Sequence, residues 1–361
     1  MDQKLKNKLE KRKEEGTLRS LSHFEGFSDF YSNDYFGFSR IATTSEGKSY
    51  GSTGSRLISG NSIEASACEV FLAEFFKSEG ALFFNSGYDA NLGLFSSVPQ
   101  RGDTVLYDEA IHASIRDGIR LSNAHSFSFV HSDIMDLRTK MAKSSGTVYI
   151  AVEGLYSMDG DLSPLRLIAD LAAEHGAYLI VDEAHSAGVL GDSGRGVVDL
   201  LGIRNKVFAR VVTFGKAYGS HGAAVLGEKA LIGYLVNFAR SFIYTTALPP
   251  SEYERVQKVV GSDMVHDLQK ELHKKIRLFR EGLSAFKPVS DERSPIQMIR
   301  LGNVEKTRLA AGILNDYKLG VKPIFSPTVK PGQEGIRICL HSTNSDEEIA
   351  QLLHVLNNFE K

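Results

Sequence analysis

The chain has 361 residues, is 42% hydrophobic, and carries 42 Lys plus Arg against 44 Asp plus Glu, a net charge of -2. That length and apolar content suffice for one large or two ordinary globular domains, and near-neutrality removes the basic excess on which duplex or RNA binding depends. The N-terminal MDQKLKNKLEKRKEEGT is charged, and no run of roughly 18 apolar residues could span a bilayer, so a cytoplasmic protein with neither nucleic acid nor membrane as partner is expected.

In chain order, Leu5 and Leu9 stand at i, i+4 in the first segment and fit either a short docking helix or a solvated arm. From residue 81 to 227, seven β-rich runs alternate with helical stretches: ALFF, DTVLYD, HSFSFV, TVYIAVEG, AYLIVDEA, RVVTFG and AAVLG. Segments such as LSPLRLIADLAAEHG repeat apolar residues at helical spacing after a Ser-Pro start. This order predicts an α/β fold with a largely parallel sheet covered on both faces. Ligands of such sheets bind beyond the carboxyl ends of the strands, and polar residues gather there: Ser86 and Gly87, Asp108 and His112, Glu153 and Ser157, Asp182 and His185, and Lys216. After residue 240 a proline-marked junction leads into a charged helical stretch and short strands at PIQMIRL and GIRICLH. The expected division is an N-terminal segment over 1–45, a large domain over 46–240 and a smaller α/β domain over 241–361. The two cysteines, Cys68 and Cys339, lie far apart, outside any metal-ligand spacing, and are read as packing residues.

VDEAHSAGVLGDSGRG, residues 181–196, contains the letters DEAH and invites a nucleotide or metal reading. The companion phosphate loop would be ATTSEGKS, residues 42–49, but it runs into the helix-hostile YGSTGSR instead of opening a helix. Asp182, Glu183 and His185 lack a second ligand pair at helical spacing, so no metal is expected. In TFGKAYGSHGAAV, by contrast, Lys216 follows a β-run and is fenced by glycines, which leaves room for a ligand at the backbone. A partly desolvated lysine can form a Schiff base with an aldehyde such as that of pyridoxal phosphate.

These two segments, about 30 residues apart, together with FYSNDYFGF, GSTGSRLISGN, FFNSGYDAN, IHAS, EGLYSMDGD and IYTTALPP, closely resemble the α-oxoamine synthases among the fold type I pyridoxal-phosphate enzymes. The resemblance runs over nearly the whole length. It implies an aspartate aminotransferase-like fold with a mostly parallel seven-stranded sheet and a smaller C-terminal domain, pyridoxal 5'-phosphate as cofactor, and a decarboxylating condensation of an amino acid with an acyl thioester. The acyl carrier would be coenzyme A or an acyl carrier protein.

The resemblance also implies roles. Lys216 holds the cofactor and acts as base, and Asp182 keeps the pyridine nitrogen protonated. His185 hydrogen-bonds the phenolic oxygen, while His112 lies against the ring and meets substrate. Ser86, Gly87 and Tyr88 hold phosphate at a helix start; Ser157 and Thr213 add hydroxyls. Thr245 and Thr246 reach the phosphate from a neighbouring subunit, implying a homodimer. Glu153 and Asn33 lie near the edges of cofactor and substrate. Arg19, Thr328 and Arg337 bind substrate, Arg337 through its carboxylate. Phe325, Ser326 and Lys330 depart from the family pattern around the acyl site.

Overall fold

The computed structural model describes residues 3–18, 24–41 and 51–359. Two compact units emerge. The larger comprises Asn33–Ser157 and Asp161–Glu271; the smaller comprises the described residues before Asn33, Met158–Gly160 and those from Leu272 onward. These bounds differ from the division at 45/46 and 240/241. Helix Pro250–Val260 packs against helix Ile63–Phe75 within the larger unit, and Arg255 of that helix donates to the Phe38 carbonyl at 2.9 Å, so flanking segments on both sides join it.

All seven anticipated strands form: β1 (Gly80–Phe84), β2 (Thr104–Asp108), β3 (His125–Phe129), β4 (Val148–Glu153), β5 (Tyr178–Asp182), β6 (Ala209–Thr213) and β7 (Ala223–Gly227). They make one sheet in the order β1-β7-β6-β5-β4-β2-β3. Only β7 runs against its neighbours, with Thr213 opposite Ala223 and Phe84 opposite Ala223 on its two sides; the rest of the ladder is parallel. Ile150, Ala151, Val152, Leu179, Ile180 and Val181 are almost wholly withdrawn from solvent, as continuous apolar runs in a doubly covered sheet should be. Each such aliphatic side chain contributes about 1.5–3 kcal/mol on burial.

Helix α1 (Gln3–Glu14) forms at the N-terminus with Leu5 and Leu9 exposed. Two other helices begin at the strand ends. In α2 (Gly87–Ser97), Ser86 caps the start by accepting the Asp89 amide at 3.1 Å. In α3 (Ala113–Leu121), the cap is His112, whose Nδ1 accepts the Ser114 amide at 3.2 Å. An imidazole in that role spends its inner nitrogen on the backbone, which fixes the ring at the strand end.

The smaller unit carries a three-stranded antiparallel sheet of β8 (Ile296–Arg300), β9 (Lys322–Ile324) and β10 (Gly335–Cys339), with β10 central. Among the described residues no helix is long and apolar enough to cross a membrane.

Candidate active site

At the carboxyl ends of the parallel strands lies a cavity of about 290 Å³. Its wall includes Asn33, Ser86, Gly87, Tyr88, His112, Glu153, Ser157, Asp182, His185, Thr213 and Lys216, eleven of the sixteen residues anticipated from sequence. Asn91, Ser114, Ala184, Gly215, His221 and Gly222 complete it and were not anticipated.

Strand register places the two central acids. Glu153 ends β4 and Asp182 ends β5 as paired neighbours in the parallel ladder. The Asp182 carboxylate is buried; it accepts from Asn91 Nδ2 at 2.7 Å and from the Ala184 amide at 2.9 Å. Glu153 is 3% exposed and accepts the Ser157 amide at 3.2 Å. Burial, reinforced by the Asp182 charge and opposed by Lys216 and the Ser157 amide, raises its pKa to about 8. One acid is therefore held protonated at neutral pH beside another that accepts two hydrogen bonds.

The DEAH segment divides its residues between two environments. Asp182, Ala184 and His185 line the cavity. Glu183 is fully buried and turned elsewhere, accepting from Arg210 Nε, from the Val198 amide at 2.9 Å and from Ser186 Oγ at 3.2 Å. Arg210 also donates to the Phe76 and Arg195 carbonyls. Among the described residues no group of three or more His, Cys, Asp or Glu is arranged to hold a metal ion. ATTSEGKS falls outside the described residues, as does Arg19.

Lys216 sits in the turn that joins β6 to β7. The Gly219 amide donates to the Lys216 carbonyl at 2.9 Å, the Ser220 amide to Phe214 at 2.7 Å, and the Phe214 amide to Gly222 at 2.9 Å. Phe214, Ala217 and Tyr218 are buried, with Tyr218 Oη donating to the Gly194 carbonyl at 3.1 Å. Gly222 has φ +91, and a Cβ there would meet Phe83 at 2.3 Å, so this return admits only glycine.

His185 is held by Tyr35, whose hydroxyl is 2.8 Å from His185 Nδ1 and 3.3 Å from Asn33 Oδ1. His112 projects from its cap position toward solvent at the mouth, yet burial of its inner side lowers its pKa, against the pull of Asp182 and together with the push of Lys216. Tyr88 Oη donates to Asp117 of α3. Thr245 and Thr246 are not in the cavity wall of their own chain; Asn85 Nδ2 meets Thr245 Oγ1 at 3.3 Å and the Thr246 carbonyl at 2.7 Å. In the smaller unit, Arg337 is buried on β10 and donates to Cys339 Sγ at 2.8 Å, while Thr328 lies exposed in the loop after β9.

The wall suits pyridoxal phosphate. Asn91 Oδ1 and Glu153 Oε1 are buried oxygens with no hydrogen-bond partner among the described residues, a costly condition that a polar ligand relieves. Gly87 and Tyr88 occupy the first turn of α2, where backbone N–H groups have no intrahelical acceptor and favour an anion. A Cβ at residue 87 would come within 2.6 Å of Thr213 Cγ2, so the seat stays open only with glycine. A buried carboxylate such as that of Asp182 suits a pyridinium nitrogen, and an amine such as that of Lys216 suits an aldehyde.

An amine on a glycine-bounded turn, a buried carboxylate and a helix-start anion seat, gathered at one edge of this mixed seven-stranded sheet, define a pyridoxal-phosphate transferase of fold type I. The model of the family "Aminotransferase class I and II" matches residues 27–356. An 8-amino-7-oxononanoate synthase from Emericella nidulans is 37% identical over 390 residues, covering 98% of this chain and 94% of that protein. The structure of 8-amino-7-oxononanoate synthase from Francisella tularensis superposes with a TM-score of 0.78 at 32% identity, covering 92% of this chain and 97% of that one. Serine palmitoyltransferase from S. paucimobilis, solved with a bound adduct of pyridoxal phosphate and myriocin, gives 0.88 at 26% identity, covering 99% and 96%. The chain belongs to the aminotransferase class I and II family, in its α-oxoamine synthase branch. It is a pyridoxal-phosphate-dependent acyltransferase.

Proposed function

We propose that the chain joins L-alanine to a pimeloyl thioester, borne by coenzyme A or an acyl carrier protein, giving 8-amino-7-oxononanoate, CO₂ and the free thiol, a step of biotin biosynthesis. The observation that carries this choice is the likeness, over 98% of the chain, to a protein of that name. The proposed setting is the cytoplasm, and the proposed assembly a homodimer in which Thr245 and Thr246 reach the partner's phosphate site.

When bound, pyridoxal phosphate supplies an electron sink for the charge left as a bond to the amino-acid α-carbon breaks. In this reading Lys216 Nζ would hold the cofactor through its aldehyde and, freed from it, would serve as the base for the α-proton. Asp182 faces the pyridine nitrogen with negative charge, and His185 donates to the phenolic oxygen. His112 covers the ring face and excludes water. Ser86, Gly87, Tyr88 and Thr213 seat the phosphate, with Ser157 beside them. Protonated Glu153 donates at the cofactor edge, and Asn33 lies by the substrate. Arg337 pairs with the substrate carboxylate, and Arg19 and Thr328 contact the acyl side. The new carbon–carbon bond would form between the α-carbon and the acyl carbonyl carbon as the carbon–sulfur bond breaks and the thiolate leaves; the original carboxylate would then depart as CO₂, and Lys216 would return a proton to the α-carbon.

A second reading, a serine- or glycine-using synthase, is favoured by the TM-score of 0.88 with serine palmitoyltransferase. One matrix separates them: alanine, glycine and serine, each with pimeloyl, acetyl and palmitoyl thioesters, read by release of thiol and CO₂. Alanine with the pimeloyl thioester should exceed every other pair by about tenfold or more, a difference of about 1.4 kcal/mol in transition-state binding. A faster glycine–acetyl or serine–palmitoyl pair overturns the assignment.

A further inference from the structure

Two wall residues outside every role assigned above form a continuous chain between Asp182 and His112. Asn91 stands one turn beyond Gly87 on α2 and is 2% exposed. Its Nδ2 lies 2.7 Å from Asp182 Oδ2 and 3.1 Å from Ser114 Oγ. Ser114 Oγ lies 2.8 Å from His112 Nδ1, and Ser114 is itself fully buried.

Only one assignment of hydrogens satisfies every contact. An ionised carboxylate accepts and never donates, so the amide must turn its NH₂ to Asp182. The second hydrogen on the same nitrogen goes to Ser114 Oγ. That oxygen, having accepted, spends its single hydrogen on His112 Nδ1. The Ser114 backbone amide donates to the same ring nitrogen at 3.2 Å. A nitrogen that accepts from two donors carries no hydrogen of its own, which leaves the ring neutral with its hydrogen on Nε2.

We infer that Asn91 and Ser114 are positioning residues that carry the donor direction set at Asp182 through to His112 Nδ1 and so hold His112 as the neutral Nε2–H tautomer. Turning the amide over would set Asn91 Oδ1 against the carboxylate, acceptor to acceptor, so the direction of the chain is fixed at its Asp182 end. The buried, unpartnered Asn91 Oδ1 follows from the same constraint, because the donors and not the oxygen decide the orientation. Burial of His112 and the nearby Lys216 ammonium act in the same sense and outweigh the Asp182 and Asp117 carboxylates, which pull the other way. A neutral ring over the cofactor avoids placing a second cation against a protonated pyridine. The inference rests on the cofactor role of this pocket but not on the identity of either substrate.

The test is two-bond ¹⁵N–¹H correlation of ¹⁵N-histidine-labelled, cofactor-free protein near neutral pH, with His112 assigned by its loss in His112→Gln. Wild type should show the neutral Nε2–H pattern. Asn91→Ala and Ser114→Ala should each introduce a clear fraction of Nδ1–H and raise the midpoint of His112 titration, and Ser114→Thr should restore the wild-type pattern. Should Asn91→Ala fail to fold by circular dichroism, Ser114→Ala decides alone. An imidazolium or an Nδ1–H ring in wild type, or an unchanged pattern in the folded alanine variants, overturns the inference. Because tautomers and not turnover are read, failure of the substrate assignment leaves this result standing, and the reverse also holds.

Discussion

The hydroxyl of Tyr35 meets Nδ1 of His185 at 2.8 Å across 150 residues of sequence, with both side chains buried. Tyr35→Phe keeps the ring and removes the hydroxyl from both His185 Nδ1 and Asn33 Oδ1. The expected cost is about 1–3 kcal/mol, read as a lower melting temperature and weaker retention of pyridoxal phosphate during dialysis. Wild-type values for both would remove the hydroxyl from the site's support.

Lys216 is expected to carry the cofactor. Borohydride reduction of the loaded protein, then digestion and mass spectrometry, should find the pyridoxyl group on that residue. Lys216→Ala should retain the fold and lose covalent attachment, with turnover reduced by about 10³-fold or more, the scale of a lost proton-transfer group. A label on another lysine would displace it.

Glu153 gives the cofactor-free protein a distinctive pH dependence. Its pKa is about 8 when folded against an ordinary 4.5. Between those values the folded chain binds a proton that the unfolded chain has released, so stability falls as pH rises and levels off above about 8. Glu153→Gln, which imitates the protonated acid, should flatten that slope in urea titrations across the range. Equal slopes in the two proteins would mean that Glu153 ionises normally.

His131 behaves similarly farther up the scale. Burial pulls its pKa down, but hydrogen bonds at 2.8 and 2.9 Å to Asp108 and Asp161 outweigh that and raise it to about 10. The ion pairing stabilises fully below the ordinary 6.5 and is lost as pH climbs through about 10. The gap in melting temperature between wild type and His131→Gln should therefore narrow toward that pH; a constant gap would contradict the pairing.

Arg210→Ala should be severely destabilising, by about 3–5 kcal/mol, because it strands the Glu183 carboxylate without its cation in the interior. Double replacement of Glu183 and Arg210 by apolar residues should recover much of that loss. A mild effect of the single change, measured by denaturant unfolding, would deny the pair its structural role.

Much of this architecture could be read from the amino acids, because strands buried on both faces must be apolar throughout and the segments between them repeat at helical spacing. Direction was not legible. AAVLG is short, apolar and symmetric in pattern, and nothing in it says that β7 runs against its neighbours. Asp182, His185 and Lys216 stood out because acids and amines at strand ends have few structural uses. Glu183 shares their motif but faces a different environment, and only the three-dimensional course of the 182–198 segment separates them. Asn91 and Ser114 escaped notice as small polar residues inside helices; the available signal was the four-residue step from Gly87 to Asn91, which stacks both on one helix face. Tyr35 lay within FYSNDYFGF, yet its partner is too distant in sequence for any local pattern to reveal.

The reversal of β7 has an evolutionary and engineering consequence. Parallel neighbours need a crossover long enough to absorb added residues, but residues 214–222 are pinned at both ends to adjacent rungs of one ladder. There is no slack for an insertion to disappear into. Lengthening that tie by a single residue would slide the amine out of step with the acid on the adjacent strand, so drift in loop length should be tolerated nearly anywhere on this scaffold sooner than here.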